Sequence, residues 1–248
     1  MADYDLLLED VDFFYGKKQI LRQINLGVSK GTICGLLGPS GCGKTTMVKI
    51  AAGILKAATG RVSVLGRRMP QISAMINIGY MAQSDALYLT LSAEENLFFF
   101  GSMYGKRHKD LKKRIKEVVE LVDLTADIKK PVNQYSGGMK RRLSLAMALL
   151  HKPPVLILDE PTVGIDPLLR KGIWNSLYLL AKEGATILIT THVMDEAEKC
   201  EQIAMLRDGC LLTHGSIQDI LSSSGSGSIE EAFIKNSLSE GYGERVTD

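Results

Sequence analysis

The residues with the clearest chemical potential form a glycine-rich loop, Gly38-Pro-Ser-Gly-Cys-Gly-Lys-Thr45, which matches the phosphate-binding pattern G-x(4)-G-K-S/T. It follows an apolar segment, residues 33–37, and leads into a helical pattern over residues 45–52. Its glycines let backbone N–H groups point at phosphate, while Lys44 adds a positive charge and Thr45 offers an oxygen to Mg²⁺. A chance glycine-rich turn is the alternative, but the flanking strand and helix favour a nucleoside triphosphate site. The predicted binding residues are Gly38, Pro39, Ser40, Gly41, Cys42, Gly43, Lys44, Thr45 and Thr46.

Two adjacent carboxylates, Asp159 and Glu160, end a second apolar segment, Val155-Leu-Ile-Leu-Asp-Glu160. A buried strand of this kind places Asp159 at the carboxyl edge of a sheet, beside the phosphate loop, where it can hold Mg²⁺ or its waters. Glu160 can then orient and polarise an attacking water molecule. Two surface acids, a kinase and a GTPase are the alternatives. A kinase needs a pocket for a second substrate, and a GTPase needs Asn-Lys-x-Asp, which this sequence lacks. Hydrolysis is therefore favoured.

A third motif, Tyr135-Ser-Gly-Gly-Met139, opens a helix with a serine and two glycines, which makes a second helix end suited to an anion. A single phosphate loop does not need this second end. The motif resembles the Leu-Ser-Gly-Gly-Gln signature of the nucleotide-binding subunits of ATP-binding cassette (ABC) transporters. Tyr135 replaces the leucine and Met139 replaces the glutamine, and methionine cannot make the amide hydrogen bonds of glutamine. Arg142 matches the arginine that often follows the signature.

The resemblance covers residues 6–221 and implies roles for four further residues. Tyr15 matches the aromatic residue that stacks on adenine, and Gln83 matches the glutamine that joins the core to a helical subdomain and senses Mg²⁺ and the attacking water. His192 matches the switch histidine at the γ-phosphate. Asp166, in Gly164-Ile165-Asp166, matches a loop residue that contacts the partner subunit. With the motifs above, the predicted catalytic residues are Glu160, His192 and Gln83, and the predicted Mg²⁺ ligands are Thr45, Gln83 and Asp159.

In this family the phosphate loop of one subunit faces the signature helix of another, so that two chains enclose each ATP. The resemblance therefore implies a dimer with a second ATPase subunit, identical or paralogous, in which Ser136, Gly137 and Gly138 contact the nucleotide in trans. It also implies ATP and Mg²⁺ as ligands and separate membrane subunits as partners. The chain would be cytoplasmic and peripheral on the cytoplasmic face of the membrane. The helical subdomain would pass the motion to the membrane subunits through Gln83.

Export is predicted by analogy with bacterial exporter subunits for drugs, glycans or lipids. Residues 80–88, the Tyr-Ser-Gly-Gly signature and residues 161–167 resemble those subunits. The alternative is a soluble ABC-type ATPase that acts on ribosomes or DNA, but such proteins usually carry two cassettes or a long coiled-coil insertion. A nucleotide sensor without turnover would be expected to lack Glu160 or His192, and both are present. The membrane subunits read the transported substrate, so this sequence does not name it.

Composition and charge are those of an ordinary globular protein: the 248 residues are 45% hydrophobic and 23% charged, with a net charge of +2. A charge this small argues against nucleic acid or another polyanion as a partner. The four cysteines lack CxxC spacing and the density of a disulfide scaffold, so they are expected to be reduced thiols. No stretch approaches the roughly 20 apolar residues that cross a bilayer.

The elements that position these residues alternate between short apolar segments and helical patterns, which predicts a parallel sheet with helices on both faces. Early and late strands with turns between them indicate an antiparallel part. We predict an α/β fold of the P-loop NTPase (RecA-like) type, with a mixed sheet core, an antiparallel β part and a helical subdomain inserted at about residues 86–151. The predicted strands cover residues 5–15, 32–37, 61–65, 77–82, 154–158, 185–190, 202–206 and 210–213.

Three helices are predicted in the inserted subdomain. The first begins at a capping box, Ser92-Ala-Glu-Glu95, and runs to about residue 104; the second carries an apolar stripe in residues 107–124, and the third covers residues 138–150. The basic run at residues 106–116 is interpreted as a solvated helix face, with a lipid-headgroup contact as the alternative.

The ABC ATPase domain is predicted to span residues 1–221. Residues 222–228, Ser-Ser-Ser-Gly-Ser-Gly-Ser, are predicted to be a flexible linker. The remainder of 222–248 is predicted to hold a short C-terminal helix that begins near Ser228 and a disordered tail.

Cys42 lies inside the phosphate loop, near Lys44 and a helix N-terminus. Both features stabilise a thiolate, so we expect Cys42 to be more reactive than a buried structural thiol. A bulky adduct on its sulfur would compete with phosphate, although Cys42 itself need only fill space there.

Overall fold

The structure is a computed structural model, which describes residues 4–83, 86–105 and 107–239. Its strands are β1 (Tyr4–Tyr15), β2 (Lys18–Ser29), β3 (Ile33–Leu37), β4 (Thr59–Val64), β5 (Arg67–Arg68), β6 (Ile78–Met81), β7 (Val155–Asp159), β8 (Thr186–Thr191), β9 (Gln202–Arg207) and β10 (Cys210–Ser216). Its helices are α1 (Lys44–Ala51), α2 (Ile72–Met75), α3 (Ala93–Ser102), α4 (His108–Leu121), α5 (Gly137–Leu149), α6 (Pro167–Lys182), α7 (Met194–Ala197), α8 (Ile217–Ser224) and α9 (Ile229–Ser239).

Six strands form one sheet in the order β10-β9-β3-β8-β7-β6. All are parallel except β10, which pairs antiparallel with β9. Every residue of β3, β7 and β8 is buried, as is typical of parallel strands covered on both faces. Because β3, β8, β7 and β6 run in the same direction, their carboxyl ends lie along one edge of the sheet. The loops that leave this edge carry Gly38, His192, Glu160 and Gln83.

A second sheet, in the order β2-β1-β4-β5, is antiparallel throughout. The predicted α/β fold with a mixed sheet and an antiparallel part is therefore confirmed. The prediction was wrong in omitting β2, a strand of 12 residues, and the short β5. Polar residues interrupt the apolar alternation of β2, and Gln23 has a φ of 44°. Pairing with β1, from Tyr15–Lys18 to Tyr4–Ser29, stabilises this strand where its own pattern does not.

The large sheet divides the hydrophobic core into two clusters. Successive side chains of a strand point to opposite faces, so Leu156 and Leu158 belong to one cluster and Val155 and Ile157 to the other. The first cluster also contains residues of α3, α4, α5 and α6. The second contains residues of α1 and of the antiparallel sheet. The sheet edge that carries the candidate residues is therefore supported on both faces.

Helices α3, α4 and α5 lie in the chain between β6 and β7. The predicted capping box is present: Ser92 Oγ accepts a hydrogen bond from the Glu95 N–H (3.2 Å), and the Glu95 carboxylate accepts one from the Ser92 N–H (2.7 Å). α3 and α4 end a few residues earlier than predicted, at Ser102 and Leu121. The lysines of α4 are exposed, and Lys106 lies outside the described residues. No helix in the described part of the chain is both long and apolar enough to cross a bilayer.

The chain after β10 corrects the predicted linker. Residues 222–224 belong to α8, so the linker prediction was wrong for this part. Ile220 is buried and anchors the helix, and the Ser224 hydroxyl donates back to the Ile220 carbonyl oxygen (2.7 Å). Gly225, with a φ of 59°, ends α8, and α9 follows. The tail that was predicted to be disordered, residues 240–248, lies outside the described residues.

Candidate nucleotide-hydrolysis site

The phosphate loop lies between β3 and α1, and its geometry requires glycine. A Cβ atom on Gly38 would lie 2.2 Å from the Leu206 carbonyl oxygen, so a larger residue would displace the loop. Gly41 and Gly43 have φ values of 81° and 114°, in the left-handed region that glycine adopts readily. Gly43 is the N-cap of α1, and no described side chain caps this helix end. The first N–H groups of α1 are therefore suited to an anion.

Lys44 and the two threonines after it occupy the first turn of α1. Lys44 is buried, and its Nζ donates hydrogen bonds to the carbonyl oxygens of Gly38 (2.7 Å) and Pro39 (2.9 Å). These contacts hold its positive charge inside the loop. Thr46 is buried and Thr45 is partly exposed, so the hydroxyl predicted to contact Mg²⁺ belongs to the more accessible of the two.

Asp159, at the end of β7, is 1% exposed. Its Oδ1 accepts a hydrogen bond from Thr190 Oγ1 on the neighbouring strand β8. Its Oδ2 is buried and has no hydrogen-bond partner among the residues that the structure describes. A buried carboxylate oxygen without a donor is unfavourable unless a cation satisfies it. Oxygen is also the ligand that Mg²⁺ prefers, so the chemistry of this atom fits the predicted metal.

Glu160 and His192 lie within hydrogen-bond distance: 2.8 Å separates Glu160 Oε1 from His192 Nδ1. Glu160 has a φ of 52°, and its N–H donates to the carbonyl oxygen (3.2 Å) and Oγ1 (3.0 Å) of Thr190. This backbone turn directs the carboxylate toward the residue that follows β8. A carboxylate that accepts the Nδ1 hydrogen orients the imidazole and leaves Nε2 for another partner. The structure thus pairs two side chains that were predicted separately.

Arg141, in α5, was not predicted as a site residue, yet its guanidinium contacts the backbone of the site. It is 8% exposed. Nη1 donates to two carbonyl oxygens beyond β6, at 2.9 Å each, and Nε and Nη2 donate to the Glu160 carbonyl oxygen at 3.1 and 2.7 Å. Nη2 also bonds to the carbonyl oxygen at the end of β7. The four acceptor residues are Ala82, Gln83, Asp159 and Glu160.

Arg142 and Gln83, both singled out from the sequence, differ in their relation to Arg141: Arg142 points away from the site, and Gln83 is bound by Arg141. Arg142 directs its Nη1 to the carbonyl oxygens of Val122 (3.0 Å) and Asp123 (2.6 Å), in the segment after α4. Gln83 is held near Glu160 through its carbonyl oxygen, and its side chain is exposed. Residues 84 and 85, which belong to the segment that resembled exporters, lie outside the described residues. Sequence spacing did not distinguish the two neighbouring arginines, because the direction of each side chain depends on the packing of α5.

The signature residues form the exposed N-terminus of α5. Ser136 is the N-cap, and its Oγ accepts a hydrogen bond from the Met139 N–H (3.2 Å). Ser136 and Gly137 are exposed, and a Cβ atom on Gly138 would lie 3.2 Å from the Gly164 carbonyl oxygen. The signature therefore lies against the loop that precedes α6 in the same chain, with its helix end open to solvent.

Asp166 and the loop before it are linked to the histidine segment through Glu196, which sequence reasoning missed. Asp166 is the N-cap of α6, and its carboxylate accepts from the Leu169 N–H (3.0 Å). Glu196, on α7, is 1% exposed and accepts hydrogen bonds from the hydroxyls of Thr162 and Thr191 (2.8 Å for Thr191). Since Thr162 precedes Asp166 and Thr191 precedes His192, this buried carboxylate joins the two loops.

Tyr15 ends β1 and is half exposed, with its ring packed edge-on against Phe13 at a centroid distance of 4.9 Å. The start of β2 continues from this point toward the phosphate loop. A cavity of about 430 Å³ is lined by the first residues of β2, the loop and the β9–β10 turn, including Lys18, Gly41 and Cys42. Tyr15 is not among the residues that line this cavity, so its stacking on adenine stays a prediction.

The thiol of Cys42 is buried in the phosphate loop, which affects its pKa. It is 6% exposed, and its Sγ lies 2.8 Å from the position that a Cβ atom on Gly38 would occupy. Burial raises the pKa of the Cys42 thiol above its ordinary value of 9.0, and the charge of Lys44 lowers it by less. Lys44 therefore favours the thiolate, as predicted, but the loss of hydration has the larger effect on the pKa. All four cysteines are free thiols.

Comparison with known proteins gives the same picture in sequence and in fold. Residues 21–163 match the family model described as ABC transporter. The linearmycin resistance ATP-binding protein LnrL of Bacillus subtilis (strain 168) is 41% identical over 232 residues, which cover 92% of this chain and 75% of that protein. The Nod factor export ATP-binding protein I of Neorhizobium galegae is 39% identical, over 86% of this chain and 64% of that protein.

Among solved structures, a similar fold is found in the dimeric, post-hydrolysis ATP-binding cassette MJ0796, bound to ADP and Pi. The TM-score is 0.79 at 26% identity, and the alignment covers 86% of this chain and 98% of that one. The similarity therefore includes almost the whole of a cassette that holds the products of ATP hydrolysis.

Proposed function

Since this chain belongs to the ABC transporter family, in which it is an ATP-binding and ATP-hydrolysing subunit, we propose that it energises export through separate membrane subunits, with Glu160 as the general base. The observation that carries the catalytic assignment is the sheet edge: the phosphate loop, Asp159, Glu160 and His192 all follow neighbouring parallel strands. The two short distances that support it are those from Glu160 to His192 and from Glu160 to Thr190.

In the proposed reaction the phosphate loop binds the triphosphate through its backbone N–H groups and Lys44. Glu160 orients an attacking water and accepts its proton at a carboxylate oxygen. His192, held at Nδ1 by Glu160 (2.8 Å), directs Nε2 toward the γ-phosphate. Tyr15 stacks on the adenine.

Mg²⁺ fits this site through oxygen donors: the Thr45 hydroxyl, the exposed Gln83 amide and the buried Oδ2 of Asp159, which has no hydrogen-bond partner in the described part of the chain. Bound there, the ion would neutralise charge on the phosphate oxygens. Asp159 is fixed for this role by Thr190, which binds its other oxygen.

A second ATPase subunit, identical or paralogous, is proposed to complete each site. Ser136, Gly137 and Gly138 form an exposed helix N-terminus suited to an anion. Asp166, beside this surface, is proposed to contact the partner. The dimeric MJ0796 cassette, with a fold similar to this chain, supports the proposal.

Contact with membrane subunits is proposed at an exposed aromatic patch, defined here as Tyr88, Leu89, Phe99 and Met103. These side chains are between 42% and 68% exposed, and the Tyr88 and Phe99 rings pack edge-on at 4.9 Å. An exposed apolar group of this kind marks an interaction surface. The patch follows Gln83 in the chain, which supports a mechanical link between the nucleotide and a membrane partner on the cytoplasmic face.

Purification from membranes tests this function against the alternative of an ATPase that acts on ribosomes or DNA. Tagged wild-type protein is expected to co-purify with an integral membrane subunit from detergent-solubilised membranes. Phe99→Glu should abolish that recovery while ATP binding remains. Ile72→Glu, at an 85% exposed residue of α2, is the matched control and should co-purify normally. Recovery with ribosomes or DNA, and not with membrane protein, would reject the transport assignment.

A further inference from the structure

We infer that Arg141 is a positioning residue for hydrolysis, which fixes the backbone of Glu160 and joins it to the signature helix. The inference rests on the proposed role of Glu160 as general base. Arg141 lies in the second turn of α5, five residues after Ser136, and its buried guanidinium donates to carbonyl oxygens at the ends of two parallel strands.

The chemistry of this contact requires a guanidinium. From its three nitrogen atoms Arg141 makes at least five hydrogen bonds, which reach four carbonyl oxygens among the described residues, two beyond β6 and two at the end of β7. Arginine presents its N–H groups in a rigid planar fork, so one side chain can bind acceptors on separate segments. A lysine ammonium donates from one atom and cannot reach both segments with comparable geometry. Arg141 therefore holds the segment that contains Gln83 against the segment that contains Glu160.

The contact stabilises an unfavourable backbone conformation at the proposed base. Glu160 has a φ of 52°, which residues with a side chain rarely adopt. Thr190 holds its N–H, and Arg141 holds its carbonyl oxygen with two donors, at 2.7 and 3.1 Å. Removal of Arg141 leaves the Glu160 carbonyl oxygen without these two donors. Rotation of the Glu160 backbone would then carry its carboxylate away from His192. The expected loss is in turnover, because the triphosphate is bound by the loop after β3.

The Arg141 side chain also connects the signature helix to the proposed general base. α5 runs for 13 residues from its N-cap Ser136, so a shift of the Glu160 carbonyl oxygen acts on the signature end through Arg141. Ser136 is proposed to contact the partner's nucleotide, whereas Glu160 acts on the chain's own. In the proposed dimer, Arg141 would therefore link the residue that acts on the chain's own nucleotide to the helix that contacts the partner's.

Steady-state kinetics of Arg141→Lys and Arg141→Gln test the inference. Both should lower kcat by about 10²-fold, the effect of a small displacement of a catalytic group, with the Kd of a fluorescent ATP analogue within three-fold of wild type. Arg114→Gln is the matched control: Arg114, on α4, likewise donates to two backbone carbonyl oxygens, those of Leu149 (2.7 Å) and Leu150 (3.3 Å), at the end of α5 far from the site. It should keep kcat within a few-fold. Wild-type kcat in Arg141→Lys would overturn the inference.

A double-mutant cycle with Glu160→Gln separates positioning from general damage. If Arg141 acts through Glu160, adding Arg141→Lys to Glu160→Gln should reduce the residual turnover no further. Losses that multiply would reject the inference. The lysine variant keeps charge and size and serves if the glutamine variant does not fold, as judged by nucleotide binding. Normal turnover in Glu160→Gln would instead refute the proposed base, and normal turnover in the Arg141 variants alone would refute only this inference.

Discussion

At the scale of the residue, the left-handed backbone of Glu160 and its 2.8 Å contact with His192 place a carboxylate where β7 and β8 end. Asp159, one residue earlier, is directed inward and keeps one oxygen unpaired among the described residues. Adjacent carboxylates thus have different environments, one buried and one partly exposed to the site. This difference separates the proposed metal ligand from the proposed base.

Replacing Glu160 with glutamine should keep ATP affinity and slow hydrolysis by roughly 10²–10⁴-fold, the usual contribution of a general base. The amide preserves the shape of the carboxylate but cannot accept a proton from water. Phosphate release with saturating Mg-ATP measures the effect. Glu183→Gln, the same substitution at an exposed residue after α6, is the control and should turn over normally. Turnover within a few-fold of wild type would remove Glu160 from the role.

Burial changes what is expected of Cys42. Because burial covers the Cys42 sulfur and raises the pKa of its thiol, the rate of maleimide labelling at neutral pH should be lower than that of partly exposed Cys210. The rate should still rise between pH 7 and pH 9, since only the thiolate reacts. Timed labelling followed by peptide mass spectrometry measures both residues in one sample. Faster labelling of Cys42 than of Cys210 at pH 7 would contradict the buried position.

Labelling should also affect function. An adduct on Cys42 fills the space beside Gly38 and should block ATP, so activity should fall in step with modification of this residue, and Mg-ATP should protect. Cys42→Ser should remain active and resist inactivation. Inactivation of that variant at the wild-type rate would assign the sensitive thiol to another cysteine.

At the scale of the element, α5 carries an exposed N-terminus and a buried arginine on one rigid helix. Met139 N–H is bound to Ser136 Oγ, and the Met139 side chain packs partly against the core. Ser136 and the glycines after it therefore form the accessible helix end, and the Met139 side chain packs against the core. Met139, which lacks the amide of the family's glutamine, therefore has a side chain that the fold directs toward the core.

Ser136→Arg should abolish dimer-dependent turnover, because a long charged side chain at the helix N-terminus removes the cap and fills the proposed interface. Met139→Gln should keep ATPase activity within a few-fold, and it serves as the control at the same helix end. ATPase rates over a range of protein concentrations measure both variants. Normal turnover in Ser136→Arg would reject a site shared by two chains.

At the scale of the whole molecule, the segment after β7 is joined to the end of β8 by the buried carboxylate of Glu196, and to the segment after β6 by Arg141. These contacts hold the sheet edge as one unit beneath the exposed signature surface. A partner that binds this surface would therefore act on the residues around Glu160.

The Glu160→Gln variant should form a stable dimer with Mg-ATP, because the nucleotide that bridges the two chains is no longer removed. Light scattering after size exclusion should give twice the monomer mass with Mg-ATP and the monomer mass with Mg-ADP. Adding Ser136→Arg should prevent the dimer, which provides the control. A monomer under all these conditions would contradict the two-chain site.

Part of the fold was accessible from the chain alone because it is encoded locally. The buried strands β3 and β7 are continuous apolar runs, and the capping box at Ser92 is a pattern of four residues. β2 escaped prediction because its stability comes from pairing with β1. The serines after Ile220 suggested a linker, yet burial of that residue keeps them helical.

The sequence by itself determined the phosphate loop, the paired carboxylates and the signature, since each is a short pattern whose spacing follows from local backbone chemistry. Only the tertiary structure decided which arginine of α5 meets the site, how Glu160 meets His192, and that burial raises the pKa of the Cys42 thiol. These properties depend on side-chain direction and burial, which contacts between distant segments impose. Neighbouring arginines with the same chemistry therefore differ in role because α5 turns one inward and the other away.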